Sequence, residues 1–422
     1  VNLPPMEKET PPGRRTLDNG SVLLSRPTPG THGIALGVWM RSGSRHEDPS
    51  LGGISHLLEH MVFKGTRRRS AYELSRDMEA LGANLDAFTT KETTAYTLRV
   101  LPDQLEEALV ILAEMLEESV HPQDQLELEK EVVLEEILSS EDTPDDFVHE
   151  RFLEHLYPGH PLSRPILGTK ETVAAIGRDD LLSHMRAVHR GGNVILSLTG
   201  AIGPRELEIV ADAFRFPPGH REQGDRSAPP SPSPGSHSYP KDLTQLYLEI
   251  GVPTVGMDHP DRYGLVLLAN LLGGGMSSRL FQRIREQEGL AYNIYCWCDF
   301  NADAGCLSTS LCASPDKGLR ALEVVAEEYQ RLRRGEVGDE ELVTNRNQVL
   351  SSMILSLEGS MHQMSRLARE EIYFGRFVSL EEMIRQLFAV DRDQLVRLAE
   401  VYLDPALQTV VAHGPARELV FS

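Results

Sequence analysis

"GGISHLLEHMVFKGT", residues 52–66, sets two histidines and a glutamate within five positions of a segment whose other residues read as a buried apolar helix. Four residues apart, His56 and His60 share one helical face and can turn both imidazoles toward a common centre. Glu59 projects beside them. Two neutral imidazoles suit Zn2+, and a carboxylate next to the metal but not bound to it can take a proton from the metal's water. Taken alone, the pentapeptide fits a core helix with two half-buried histidines equally well, so a third ligand decides the reading.

Catalytic zinc takes three protein ligands and leaves a fourth position open. The strongest source is "DQLELEKEVVLEEILSS" at 124–140, in a helix expected over about 123–139 that opens after Pro122. Leu128, Val132, Val133 and Ile137 read as its buried stripe. Glu129 and Glu136, two turns apart on one face, flank that stripe, whereas Glu135 points about 100° away toward solvent.

Outward from these helices the pattern alternates. Strands are expected at 21–27 ("SVLLSRP") and 33–44 ("GIALGVWMRSGS"), joined as a hairpin by "TPGTH". A helix at 70–82, a Thr- and Tyr-rich strand at 84–101, a helix at 104–119, an apolar strand at "GGNVILSLTGAI" and a helix near 204–214 complete the first half. Residues 217–240 hold seven prolines and almost nothing to bury, which reads as an exposed linker. After it, "LTQLYLEIGVP" and "HPDRYGLVLLANLLGG" repeat the strand-then-helix order, so a duplicated α+β unit fits the length. The second copy carries Ala269, Asn270 and Leu271 where the first has its histidines, leaving the metal chemistry to one half.

The formal net charge of −21 argues against nucleic acid and anionic membranes as partners. "KGTRRRS" at 64–70, the one dense basic run, reads as a solvated turn. No apolar run of about 18 residues suggests a membrane span, and "VNLPPMEKETPPGRRTLDNG" has no signal-peptide h-region. Cys296, Cys298, Cys306 and Cys312 sit in alternating apolar text and read as free thiols on two paired strands, which favours a reducing compartment. The glycines of "LLGGGMSSRLF", Gly273 to Gly275, accompany neither a Walker lysine nor G-x-G-x-x-G, which argues against a nucleotide loop.

His56-Leu-Leu-Glu59-His60, then 75 residues, then Glu136 within "EKEVVLEEI" resembles the inverted zinc signature of the pitrilysin/insulinase peptidases, the inverzincins, and among them the short-chain bacterial branch similar to mitochondrial processing peptidases. "HMVFKGT", "LDAFTTKETTAY" and "ILGTKETV" are similar to family text as well. The resemblance spans nearly the whole chain.

It implies one Zn2+ per chain held by His56, His60 and Glu136, with Glu59 as general base and Glu129 steadying a ligand histidine. Arg285 and Tyr292, in "SSRLFQRIREQEGLAYNIY", match the family pair that stabilises the oxyanion. Asp86, Ala87 and Phe88 match the edge strand on which extended substrate lies by β-addition, although many members have Asn where Asp86 stands. The implied fold is α+β: two homologous domains, 1–216 and 241–422, each a mainly antiparallel sheet with helices on one face, arranged as a clamshell. The implied activity is a zinc endopeptidase for peptides or unfolded polypeptide segments inside a closed chamber, homodimeric or paired with a related subunit, in the bacterial cytoplasm. The family also holds silent members that act as partner or assembly subunits.

Overall fold

A computed structural model describes residues 9–219 and 232–415. Half of the expected linker, 220–231, lies outside the described residues, as does the start of the N-terminal stretch read for a signal peptide. The described chain forms two compact units that do not follow chain order. The first takes residues 9–138, 164–219 and 356–379, and the second takes 139–163, 232–355 and 380–415. Among the described residues no helix is long and apolar enough to cross a membrane.

The strands of the first unit are β1 (Gly13–Thr16), β2 (Val22–Pro27), β3 (Ile34–Met40), β4 (Asn84–Thr89), β5 (Thr94–Val100) and β6 (Val194–Gly200), and they lie in the order β1-β2-β6-β3-β5-β4. β2 and β6 run parallel, and every other pair is antiparallel. This corrects the expected β2–β3 hairpin, because β6 separates the two strands. β6 is buried along its whole length, and a strand apolar on both faces belongs at the centre of a sheet. The expected single strand 84–101 is a hairpin: Thr90 N–H donates to Thr93 O at 2.7 Å and turns β4 back along β5.

β3 is buried on both faces, and alternation divides its residues between two cores. Ile34, Leu36, Val38 and Met40 join the large core formed with α1 (Ile54–Met61), α2 (Ala71–Ala80), α3 (Leu105–Glu118) and α4 (Gln123–Asp142). Ala35 and Trp39 face the other way, against Met364, Leu367 and Ala368 of the helix Ser360–Tyr373. Helices therefore cover both faces of this sheet rather than one. A Cβ on Gly37 would stand 2.4 Å from Met364 Sδ and 2.3 Å from Trp39 Nε1, so the packing requires glycine there.

The second unit repeats the plan. Its strands β7 (Gly235–Pro240), β8 (Leu246–Thr254), β9 (Ala291–Phe300), β10 (Gly305–Ala313) and β11 (Thr409–Gly414) lie in the order β7-β11-β8-β10-β9, with β7 parallel to β11 and the rest antiparallel. Matched in chain order, β7 to β11 reproduce β2 to β6 strand for strand. β7 uses the last six residues of the expected linker. On the far face of this sheet lies α5 (Pro144–Leu156), a helix that the sequence reading did not include, and Gly251 answers Gly37: a Cβ there would meet Phe152 Cζ at 2.9 Å. Cys296 and Cys298 on β9 face β10, which carries Cys306 and Cys312, and all four are free thiols, as read from the alternation.

Overpacking a filled core costs about 1–3 kcal/mol. Gly37→Ala is accordingly expected to lower the unfolding free energy by an amount in that range, read as a fall in the denaturant midpoint. An unchanged midpoint would mean that the helix Ser360–Tyr373 does not seat on β3 as described.

Candidate metal centre

The start of α1 is fixed before its histidines appear. Glu47, itself buried, accepts the Gly53 amide through Oε2 and the Ser55 amide through Oε1, each at 2.8 Å. Burial pushes its carboxyl pKa up, against the pull of these bonds. Gly53 adopts φ 90, and a Cβ there would lie 2.5 Å from Leu167 O. From this start Ile54, Leu57, Leu58 and Met61 enter the core, while His56, Glu59 and His60 stay half-buried on the opposite side.

The two imidazole centroids are 4.6 Å apart. His56 Nε2 and His60 Nε2 lie 3.7 Å and 3.9 Å from one oxygen of Glu136, Oε2. These gaps are too long for hydrogen bonds. They approach the roughly 3.3 Å edge of a tetrahedron of N and O ligands around zinc. One ligand atom from each of His56, His60 and Glu136 lies within 4.8 Å of the others, and among the described residues this is the one such group of His, Cys, Asp or Glu.

The protonation states suit a metal. Burial, and then the neighbouring His60, hold His56 down to a pKa of about 4, so its imidazole is neutral at pH 7. Its Nδ1 is buried, with no hydrogen-bond partner among the described residues. At His60, Nδ1 lies 3.1 Å from Glu129 Oε2. A carboxylate only accepts, so Nδ1 carries the proton and Nε2 keeps its lone pair toward Glu136.

Glu129 is 4% exposed, and its other oxygen, Oε1, pairs with Lys64 at 2.6 Å. Lys64 therefore does not belong to a solvated basic run, and Arg68 and Arg69 are likewise paired, with Glu118 and with Asp77 and Glu114. The stripe of α4 also needs correcting: Leu128 and Val132 are exposed, and Leu126, Glu129, Val133 and Ile137 are buried. Glu129 thus sits inside the stripe rather than beside it. Glu135 is exposed, as expected.

Glu59 does not belong to the three-ligand group. Thr89 Oγ1 donates to its Oε2 at 2.6 Å, and burial, the largest influence, pushes its pKa up. Thr89 ends β4, the free edge of the sheet that carries Asp86, Ala87 and Phe88. Asp86 Oδ1 accepts the Ala87 amide at 2.9 Å, and Phe88 packs edge-on against Trp39 on the face opposite α1.

Within the second unit, Arg285 lies on a π-helical turn, Phe281–Gln287, and Tyr292 lies on β9. The Arg285 guanidinium sits over the rings of Tyr292, at 4.4 Å, and Phe281, at 4.8 Å. Tyr292 is 76% exposed. The equivalent of α1 here is the helix Arg262–Gly273, where Asn270 Nδ2 donates to Asn345 Oδ1 at 2.5 Å and to Gln348 Oε1 at 3.2 Å. An amide network stands where the first unit has imidazoles and carboxylates.

Sequence reading missed Glu47, Lys64 and Thr89. The signals are present but weak: Lys64 follows His60 by four residues, and Thr89 shares the alternation of Leu85 and Ala87 that faces α1.

Residues 22–170 match the insulinase family (peptidase family M16), and residues 175–349 match the peptidase M16 inactive domain. A Bacillus subtilis protein named uncharacterized zinc protease YmxG is 35% identical, over 92% of this chain and 94% of its own. The chain belongs to the insulinase family, M16. Its fold is shared with a peptidase M16 inactive domain from Pseudomonas fluorescens (TM-score 0.88, 21% identity, 97% of this chain and 99% of that one). It is also shared with a chain from a structure of Candida albicans complex III2 (TM-score 0.82, 18% identity, 96% of each chain). An M16 fold of this kind therefore leaves catalysis to be judged from the side chains.

Removing the hydrogen-bond partner of a ligating histidine costs about 10- to 100-fold in metal affinity. Glu129→Ala should weaken Zn2+ binding by that factor in a chelator competition, with Glu135→Ala unchanged. Equal affinities in the two variants would show that Glu129 does not hold His60.

Proposed function

We propose that this M16 protein is a zinc endopeptidase acting on extended peptides or unfolded segments of polypeptide. The observation that carries the reading is the convergence of His56, His60 and Glu136 with a neighbouring carboxylate, Glu59, left out of the group. The set of two neutral imidazoles and one carboxylate is the donor chemistry of catalytic zinc sites that keep a position open. Zinc held there supplies Lewis acidity, which acidifies a bound water and polarises a carbonyl oxygen.

The protein's own groups handle protons and orientation. Glu59, engaged through Oε2, has Oε1 to accept the proton of the attacking water and pass it to the leaving amine. Glu129 and Lys64 hold His60 in its ligating tautomer. The substrate backbone is assigned to the edge of β4, where an extended chain adds as a further strand at Asp86, Ala87 and Phe88. By family resemblance, Arg285 and Tyr292 are assigned as donors to the carbonyl oxygen as it gains charge.

A homodimer enclosing a chamber accompanies this reading, with light scattering expected at twice the chain mass; a monomer at micromolar concentration would remove it. The free thiols support a cytoplasmic location. The competing reading, a silent partner subunit, draws on the Candida albicans neighbour but gives Glu59 no task.

Metal analysis combined with a quenched-fluorescence peptide assay on wild type and Glu59→Gln separates the two. About one zinc per chain is expected in both proteins, with turnover at least ~100-fold lower in the variant, the lower end of what a general base contributes. Wild-type protein that binds zinc and cleaves nothing supports the silent subunit. Equal turnover in the two proteins removes Glu59 as the base.

A further inference from the structure

We propose that Thr89 positions the general base, and that it does so from the strand that receives the substrate. The inference rests on the reading of Glu59 and β4 given above.

The first part follows from side-chain direction. Along β4 the side chains of Leu85 and Ala87 pack toward the core shared with α1. Two residues on, Thr89 points the same way and reaches Glu59. Its Oγ1 donates to Glu59 Oε2 at 2.6 Å, and among the described residues no other hydrogen bond to the Glu59 carboxylate is present. The C–C torsion that rotates a glutamate carboxylate is broad, so the carboxylate needs a second anchor to hold one orientation. Fixing Oε2 leaves Oε1 as the proton acceptor and sets where it points. Thr90 cannot replace Thr89 in this role, since its own hydroxyl bonds to Thr93 and receives the amides of Glu92 and Thr93.

The second part follows from the register. Thr90 and Thr93 form the hydrogen-bonded pair that closes the turn. Hydrogen-bonded and non-hydrogen-bonded pairs alternate along an antiparallel ladder. Thr89↔Thr94 is then a non-bonded pair, Phe88↔Ala95 a bonded one and Ala87↔Tyr96 a non-bonded one. The backbone N–H and C=O groups of Leu85, Ala87 and Thr89 therefore point to the free edge, where an added strand would bond. The Asp86 carboxylate on the Ala87 amide marks the same outward direction. Thr89 thus presents its backbone to the peptide and its hydroxyl to the base, and seating the peptide fixes the residue that aims Glu59.

Thr89→Val keeps the shape and the β-branch and removes only the hydroxyl. Thr89→Ser keeps the hydroxyl and removes a methyl. With the zinc-loaded protein and the same peptide assay, Thr89→Val is expected to lower kcat about 10- to 100-fold, the scale of a misplaced catalytic group. KM should stay within about threefold and zinc content should not change. Thr89→Ser should recover kcat to within about fivefold of wild type, and Thr89→Ala, which vacates the volume, should show the same loss in kcat as Thr89→Val. A kcat for Thr89→Val within about threefold of wild type overturns the proposal. So does equal loss in the Val and Ser variants, or a defect confined to KM. Zinc-loaded wild type with no activity overturns the endopeptidase reading and this inference with it, whereas active wild type with an unaffected Val variant overturns this inference alone.

Discussion

The first unit's chemistry depends on one hydrogen bond, from His60 Nδ1 to the buried Glu129 carboxylate. A carboxylate with 4% exposure is costly unless its oxygens are matched. Here Oε2 takes the imidazole N–H and Oε1 takes Lys64. That pairing joins α1 to α4, sets the Nδ1–H tautomer of a neutral His60, and brings Glu136, two turns further along α4, to the same side as the imidazoles. Without Glu129, His60 would be a half-buried ring with no preferred tautomer, and this polar tie from α4 to α1 would be lost.

The two units show what is structural in this plan and what is chemical. Both sheets have the same strand order and sense, and both place a glycine, Gly37 or Gly251, under a helix contributed by the other half of the chain. Those features recur because they solve packing. The polar groups do not recur: on the second unit's equivalent helices Asn270 donates to Asn345, whose own amide donates to Leu267 O, so neutral amides fill the place. An amide pair stabilises a helix contact without supplying two nitrogen lone pairs and a carboxylate to a metal. Among the described residues the duplicated scaffold therefore brings a candidate ligand group together in one copy only.

Much of this was legible in the sequence. Periodicity located the helices that bear His56, Glu59, His60, Glu129 and Glu136, and alternation located the strands of the four thiols. What was not legible is non-local. β6 begins 154 positions after β3 ends (Met40 to Val194), so nothing in the local pattern says that it separates β3 from β2. The burial of Glu129 in place of Leu128 depends on the exact rotation of α4, which its mixed composition sets poorly: four leucines, two valines and an isoleucine spread around most of the helix. Glu47 caps α1 from six residues before Gly53, across an intervening turn, whereas local capping rules look for a partner at the helix start itself. Nor does linear order show that Ser360–Tyr373 seats on the first sheet and Pro144–Leu156 on the second.

The free edge of β4 raises a different problem, since an unpaired strand invites pairing with any other extended chain. Asp86 bears on this directly. Its carboxylate covers the Ala87 amide, the middle one of the three outward-facing residues, and presents negative charge along the edge. Another copy of this strand would bring a second carboxylate against the first, so like-charge repulsion acts against self-pairing. A substrate backbone carries no such charge. On the proposed β-addition its carbonyl would replace the Asp86 oxygen at the Ala87 amide, the carboxylate would return to water, and one acceptor would be exchanged for another at small net cost. The same residue therefore disfavours the wrong partner for this edge while leaving the outward groups of Leu85 and Thr89 open to the right one.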